Sequence, residues 1–314
     1  MRIRHATKER ERAAPATAVE GGHVENRLNQ TIRLDDGRAL GFAKYGDPAG
    51  RPIFYFHGSP SCRLDWSWFG DEAWALSHGV RFIAIDRPGM GLSDYQPDRR
   101  LVDWPDDVAE LADALGIETF GVWGLSAGGP YAVVCAWKLA RRLTAASIVS
   151  GFGPFFELPG AYEEIYPSSR RFWKLARDRP FLSRLSLQIA RGGMALFPGR
   201  VLAAMAAELP ACDRPHLLED EARLAAILRE SLRNGARGGQ YDAWLVQQPW
   251  GFHLEDVTTR VQIWQGAADL STPVEMARYM AERIPGCEAR IIEGEGHLSL
   301  VNKYRDEILS ALLE

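Results

Sequence analysis

Six short apolar runs, each leading towards a stretch of helical periodicity or a break in it, constrain the fold of this chain more than any other feature. They are PIFYF (52–56), VRFIAID (80–86), ETFGVW (118–123), AASIVS (145–150), VQIWQG (261–266) and EARIIE (288–293). A strand with one wet face alternates apolar and polar residues. Runs this continuous must be covered on both faces, which is the condition of a parallel sheet held between helical layers. Helical stretches are expected around 66–78, 104–115, 127–140, 273–283 and 301–313. Upstream, TIRLDDGRALGFAKYG reads as two strands joined by a turn at Asp35-Asp36-Gly37. The expected class is therefore α/β, with a mostly parallel sheet of about eight strands.

The alternation breaks once. Between about 151 and 256 the sequence carries FWKLARDRPFLSRLSLQIA, MALFPGRVLAAMAAEL and LLEDEARLAAILRESLRNGA, which read as three or more helices. An interval of that length is an inserted helical cap and not a loop. The core then comprises 27–150 and 257–314, and the polar, charged residues 1–26 read as a flexible extension. The formal charge of −4 argues against a nucleic-acid partner. Cys62, Cys135, Cys212 and Cys287 lie far apart with no CxxC pair, so neither a metal cage nor a disulfide framework is expected, and a reducing cytoplasm is the expected compartment. No apolar run is long enough for a membrane span, so no stable membrane insertion is expected.

The string GVWGLSAGGPYA carries the chemistry. A strand ending near Trp123 runs into Gly124-Leu125-Ser126-Ala127-Gly128, and a helix follows: G-x-S-x-G in the strand–turn–helix context the motif requires. Its glycines remove side chains that would clash in a sharp turn, and the turn raises the Ser126 hydroxyl above the carboxyl end of the sheet. The bland alternative is a Gly-rich turn with an incidental serine. A nucleophilic serine needs a base. Of the seven histidines, His5 and His23 lie in the extension, His78 ends a surface-type helix, and His216 and His253 lie in or beside the insert. His297 follows the last strand, in EGEGHLSL, where a loop can reach over the sheet towards Ser126. The orienting carboxylate is expected at Asp269, just after the strand VQIWQG; the competing reading is a helix N-terminal acid. Asp242 and Asp256 belong to the insert or its exit.

With these residues in place, the chain resembles the α/β-hydrolase superfamily, as a serine hydrolase with a helical cap. The order Ser126…Asp269…His297 matches that fold. HGSP (57–60) resembles the family's HGxP oxyanion loop, and DRPGMGLSD (86–94) resembles its glycine-rich loop after the next strand. The resemblance spans about 28–314. It implies an α/β-hydrolase fold, an oxyanion hole made by the Ser59 and Ala127 backbone N–H groups, and a His57 that holds the loop's shape without acting as a base. Ser126 departs from dehalogenases and epoxide hydrolases of the superfamily, which use Asp in the elbow. The chain also lacks the GGSWG and HGGPG strings of many proline iminopeptidases.

The function implied is hydrolysis of carboxylic esters or lactones of small, mainly apolar molecules through an acyl-enzyme. Serine, base and oxyanion hole complete the acyl-transfer machinery, so no metal or organic cofactor is expected. Acyl transfer, amide or peptide hydrolysis, carbon–carbon bond hydrolysis, or ligand binding with slow turnover remain open on the same residues. The insert sets specificity. Its aromatic residues Phe152, Phe155, Phe156, Tyr162, Tyr166, Phe172, Trp173, Trp244, Trp250 and Phe252 can either line an acyl pocket or form its own core. From Arg170 to Arg191 seven basic residues accompany one acid, Asp178, which reads as a solvated face with affinity for anions as the alternative.

Overall fold

The computed structural model describes residues 27–314; the expected extension at 1–26 lies outside the described residues. The strands are β1 (Gln30–Arg33), β2 (Ala39–Gly46), β3 (Arg51–Phe56), β4 (Val80–Ile85), β5 (Phe120–Leu125), β6 (Leu143–Val149), β7 (Val261–Gly266) and β8 (Glu288–Ile292). They form one eight-stranded sheet in the order β1-β2-β4-β3-β5-β6-β7-β8. β1 and β2 pair antiparallel, β2 pairs antiparallel with β4, and every later pairing is parallel. Gly37 turns the first hairpin with a φ of 87°, a conformation that costs glycine no steric penalty.

Alternation within each run distributes side chains to the two faces. Phe54, Phe56 and Val122 join a core on one side, whereas Ile53, Tyr55 and Trp123 join the core on the other. The second core contains Trp66, stacked on Phe82 at 4.1 Å and edge-on to Trp123 at 5.6 Å. The stretch expected as one helix around 66–78 is two short helices, α1 (Trp66–Phe69) and α2 (Glu72–Ser77). They part at Gly70, which packs so closely on the Trp66 indole that a Cβ there would sit 2.6 Å from the ring. α3 (Trp104–Ala114) and α4 (Gly129–Lys138) follow β4 and β5.

Between β6 and β7 lie α5 (Pro167–Asp178), α6 (Pro180–Leu196), α7 (Pro198–Glu208), α8 (Arg214–Leu218), α9 (Glu221–Ser231) and α10 (Arg237–Leu245). Proline sets the first three starts: its missing N–H is not needed in a first turn, and the residue before it is driven out of the helical region. α11 (Val274–Arg283) and α12 (His297–Leu313) complete the chain. The last helix starts four residues before the expected 301, because residues 297–300 are capped from outside the segment, as described below.

Candidate active site

β5 ends at Leu125 and the chain turns sharply at Ser126, whose φ of 54° is one that few non-glycine residues adopt. The turn is possible because two neighbours lack side chains. A Cβ on Gly124 would sit 2.5 Å from the Gly128 carbonyl oxygen, and one on Gly128 would sit 2.1 Å from that of Phe56. Strain of this kind is held by the packing of β5 and α4 around it. Gly58 passes so close that a Cβ there would lie 3.9 Å from Ser126 Oγ.

Two later loops meet the elbow. After β7, the Asp269 carboxylate accepts from the Ser271 and Thr272 N–H groups at 2.7 and 2.9 Å, from the Gln265 amide at 3.0 Å and from the His297 Nδ1–H at 2.8 Å. Burial pushes the Asp269 pKa up, but His297 and the Thr272 donors outweigh it and hold the carboxyl below the usual value. Burial pushes the His297 pKa down, and the Asp269 charge outweighs it, so the ring titrates above the usual imidazole value. With Nδ1 bound to Asp269, Nε2 is the nitrogen left for other work. Ser126 and His297 both line one cavity of about 440 Å³, with Gly58, Ser59 and Asp65 on the same wall.

His57, by contrast, does not line this cavity. Its Nε2 accepts the Arg87 N–H at 3.3 Å, so Nδ1 carries the proton and donates to the Gly58 carbonyl at 2.7 Å. Burial and the Arg87 charge push its pKa well below the ordinary value and keep the ring neutral. The Arg87 guanidinium also donates to the carbonyls of His57 and Gly58. The Gly58 N–H is taken by Asp65, which accepts from Tyr55 and Ser61 hydroxyls as well. Ala127 N–H lies in the first turn after β5, where a helix start leaves donors without internal partners.

Three acids that sequence reasoning did not assign shape this region. Asp65 supports the 57–60 loop from beneath, and burial raises its pKa. Asp242, on α10, binds Arg87 at 2.8 Å, Arg99 at 3.0 Å and the Tyr131 hydroxyl at 2.7 Å. Burial would raise its pKa, but the two guanidinium groups hold the carboxyl well below the usual range. Asp213 stands at the N-cap position of its own short helix α8 yet makes no cap bond there. Its carboxylate instead accepts from the N–H groups of His297, Leu298 and Ser299 at 2.8, 2.9 and 2.9 Å, capping α12 from the insert. Gly296 leaves room for it, since a Cβ would sit 2.4 Å from Asp213 Oδ2. The DRP string signals a local helix start, and nothing in it points to a helix 84 residues away.

The cavity wall divides the aromatic candidates. Phe152, Tyr166, Phe172 and Trp173 line it. Phe155, Tyr162 and Trp250 are buried in the main core, Phe252 stacks on Trp137, and Phe156 is exposed. Most of the remaining wall is aliphatic, including Leu187, Met194, Leu202, Met205 and Ile227 from α6, α7 and α9. Among the described residues, no group of three His, Cys, Asp or Glu side chains is placed to hold a metal ion. All four cysteines are free.

A model described as the alpha/beta hydrolase family matches residues 53–311. A non-heme chloroperoxidase of Streptomyces lividans is 32% identical over 126 residues, spanning 40% of this chain and 45% of that protein. The putative carbamate hydrolase RutD of Caulobacter vibrioides is 25% identical over 85% of this chain and 91% of its own length. Among solved structures, an esterase from Exiguobacterium antarcticum superposes with a TM-score of 0.63 at 17% identity, covering 91% of this chain and 100% of that one.

Proposed function

The chain belongs to the α/β-hydrolase family, and from that premise we propose that it is a serine hydrolase that cleaves carboxylic esters or lactones of small, mainly apolar molecules. Ser126 is the nucleophile, His297 the base and Asp269 the acid that orients it. The core is 27–150 with 257–314, and 151–256 is a cap that encloses the substrate. The observation that carries the reading is the 2.8 Å bond between His297 Nδ1 and Asp269, in a ring that shares a cavity with a serine at a strained elbow.

The chemistry follows from those positions. His297 Nε2 takes the Ser126 hydroxyl proton as Oγ attacks the substrate carbonyl carbon. Asp269 stabilises the imidazolium that results. The negative charge on the carbonyl oxygen is met by the N–H groups of Ser59 and Ala127, which cost no reorganisation at the moment of reaction. Collapse of the tetrahedral species breaks the ester C–O bond, and His297 returns its proton to the leaving alcohol. Water then attacks the acyl-enzyme by the same route and frees the acid. The apolar cavity, within the range of small-molecule sites, suits an uncharged acyl group. The four free cysteines fit a cytoplasmic setting.

The test pairs labelling with turnover. An organophosphonate probe should label Ser126 stoichiometrically, and Ser126→Ala should lose the label while staying folded. Matched butyrate ester and anilide substrates then define the bond: the ester should show the larger kcat/KM. Label retained in Ser126→Ala, or an anilide cleaved as fast as the ester, would overturn the assignment of nucleophile or of substrate class respectively.

A further inference from the structure

α6 is apolar on two faces. Leu187, Ala190 and Met194 point into the cavity, as expected of a core-facing stripe. The opposite side carries Phe181, Leu182, Leu185, Ile189 and Leu196, all within one arc of the helix and all exposed, and Phe197 continues it into the next turn. Phe181 is 74% exposed, Leu196 71%, Ile189 65% and Phe197 56%. A helix with apolar residues on two opposite faces normally has both covered, and here the outer one is bare. With roughly 200 Å² for a whole large apolar side chain, the six expose on the order of 700 Å², above what a free surface usually shows.

Arginines dominate the charges around this patch. Among the described residues, Arg171, Arg179, Arg184, Arg191 and Arg200 make no ion pair with a carboxylate. Arg179 directly precedes α6. Arg184 and Arg191 stand on its flank, and Arg200 lies over the Phe197 ring at 5.7 Å. The nearby acids are fewer: Asp178 pairs with Arg177, Glu208 accepts the Ser168 N–H, and Glu221 lies against Gly199. An apolar stripe rimmed by free arginines is complementary to an apolar layer beneath a negatively charged surface.

We propose that the outer face of α6, with Phe181, Leu185, Ile189 and Leu196 as its apolar centre and the free arginines as its rim, docks reversibly on an anionic lipid surface. The contact is peripheral, since no helix among the described residues is long and apolar enough to cross a membrane. The docked helix is also the one whose inner face lines the cavity, so docking sets the cavity beside the lipid.

Co-sedimentation of the full chain with vesicles of phosphatidylcholine alone, or of phosphatidylcholine with phosphatidylglycerol, tests the proposal. The protein should pellet with the anionic vesicles and at least about tenfold less with the neutral ones, and salt should weaken the binding. Residues 1–26 also carry cations, so the α6 variants decide the site. Ile189→Glu and Phe181→Glu replace exposed side chains and should each cut binding about tenfold, with the circular dichroism spectrum unchanged. The pair Arg179→Glu with Arg191→Glu should do the same, whereas Leu76→Glu, at an exposed leucine on α2, should leave binding intact. Equal pelleting with neutral vesicles, or undiminished binding by Ile189→Glu, would overturn the proposal. So would a wild-type dimer in analytical ultracentrifugation that Ile189→Glu converts to monomer, which would assign the face to a second copy.

Discussion

Replacing Asp213 with Ala tests whether the insert holds the proposed base from behind. The carboxylate is buried and accepts three N–H groups at the start of α12, the first of them from His297 itself. Loss of an N-cap costs about 1 kcal/mol, and a buried donor left without an acceptor costs about 1–3 kcal/mol. Because the three donors share one group and water can enter part of the vacated space, Asp213→Ala should cost about 2–4 kcal/mol in all. In a chain of this length that is a fall in Tm of roughly 3–7 °C. Asp213→Asn keeps an acceptor but loses the charge at the helix start and should cost about 1 kcal/mol. Both should lower kcat on a short-chain ester, Asp213→Ala by roughly 10- to 100-fold, since a misplacement of about 1 Å at a catalytic group is worth that much. The Asp213 charge is also among those that raise the His297 pKa, after burial, which lowers it, and Asp269, which raises it. Removing that charge disfavours the imidazolium, so the acid limb of the pH–rate profile should move to lower pH in Asp213→Asn. Chemical denaturation and a pH series of kcat/KM measure both effects. An Asp213→Ala variant with wild-type stability and wild-type kcat would refute the reasoning.

Other consequences are more direct. Ser126→Gly should raise stability by about 1 kcal/mol in denaturant titration while abolishing turnover, because glycine accepts the positive φ without strain. Ester hydrolysis in the wild type should fall on acidification through a pKa above 6.5, since His297 can serve as the proposed base only when neutral; a rate that rises from pH 7 to pH 5 would contradict this. Asp242→Asn should lower both stability and kcat, since Asp242 holds the Arg87 guanidinium that grips the His57 and Gly58 carbonyls. Its carboxyl titrates lower in the folded chain than in the unfolded one, so the stability it adds is present above about pH 4 and lost as pH falls below that, and an acid-unfolding curve of the variant should be correspondingly flatter.

The parts of the site legible in the sequence are those written in contiguous residues or in chain order. The elbow is local: a buried strand, two obligatory glycines and a helix stand within a dozen residues. The meeting of His297 with Asp269 was readable because each directly follows a strand, and parallel strands deliver their following loops to one sheet edge. Asp213, Asp65 and Asp242 were not readable, because their meaning lies in distant partners. Asp242 lies 155 residues from Arg87, and Asp213 imitates a local helix cap that it does not make. The break of α1 from α2 was hidden for a similar reason, since Gly70 yields to the bulk of a Trp66 ring that the sheet wedges in place. Which aromatic residues line the cavity was left open by the sequence, since wall and core residues share one composition; four of the ten candidates line it, and aliphatic side chains from α6, α7 and α9 do much of the rest.

Two acids of the 151–256 segment thus end inside the sheet-bearing part of the chain: Asp213 on the last helix and Asp242 on the arginine beneath the 57–60 loop. This limits how freely the segment can be exchanged. A chimera that grafts the corresponding stretch of a relative onto this sheet would import a new cavity wall but leave the start of α12 and the Arg87 guanidinium without their anions, unless the donor carries carboxylates at the same two places. Gly296 would then face an empty space where no side chain was tolerated before. Successful grafts should therefore be those whose donor segments bring both acids, whatever their similarity in the helices that line the cavity.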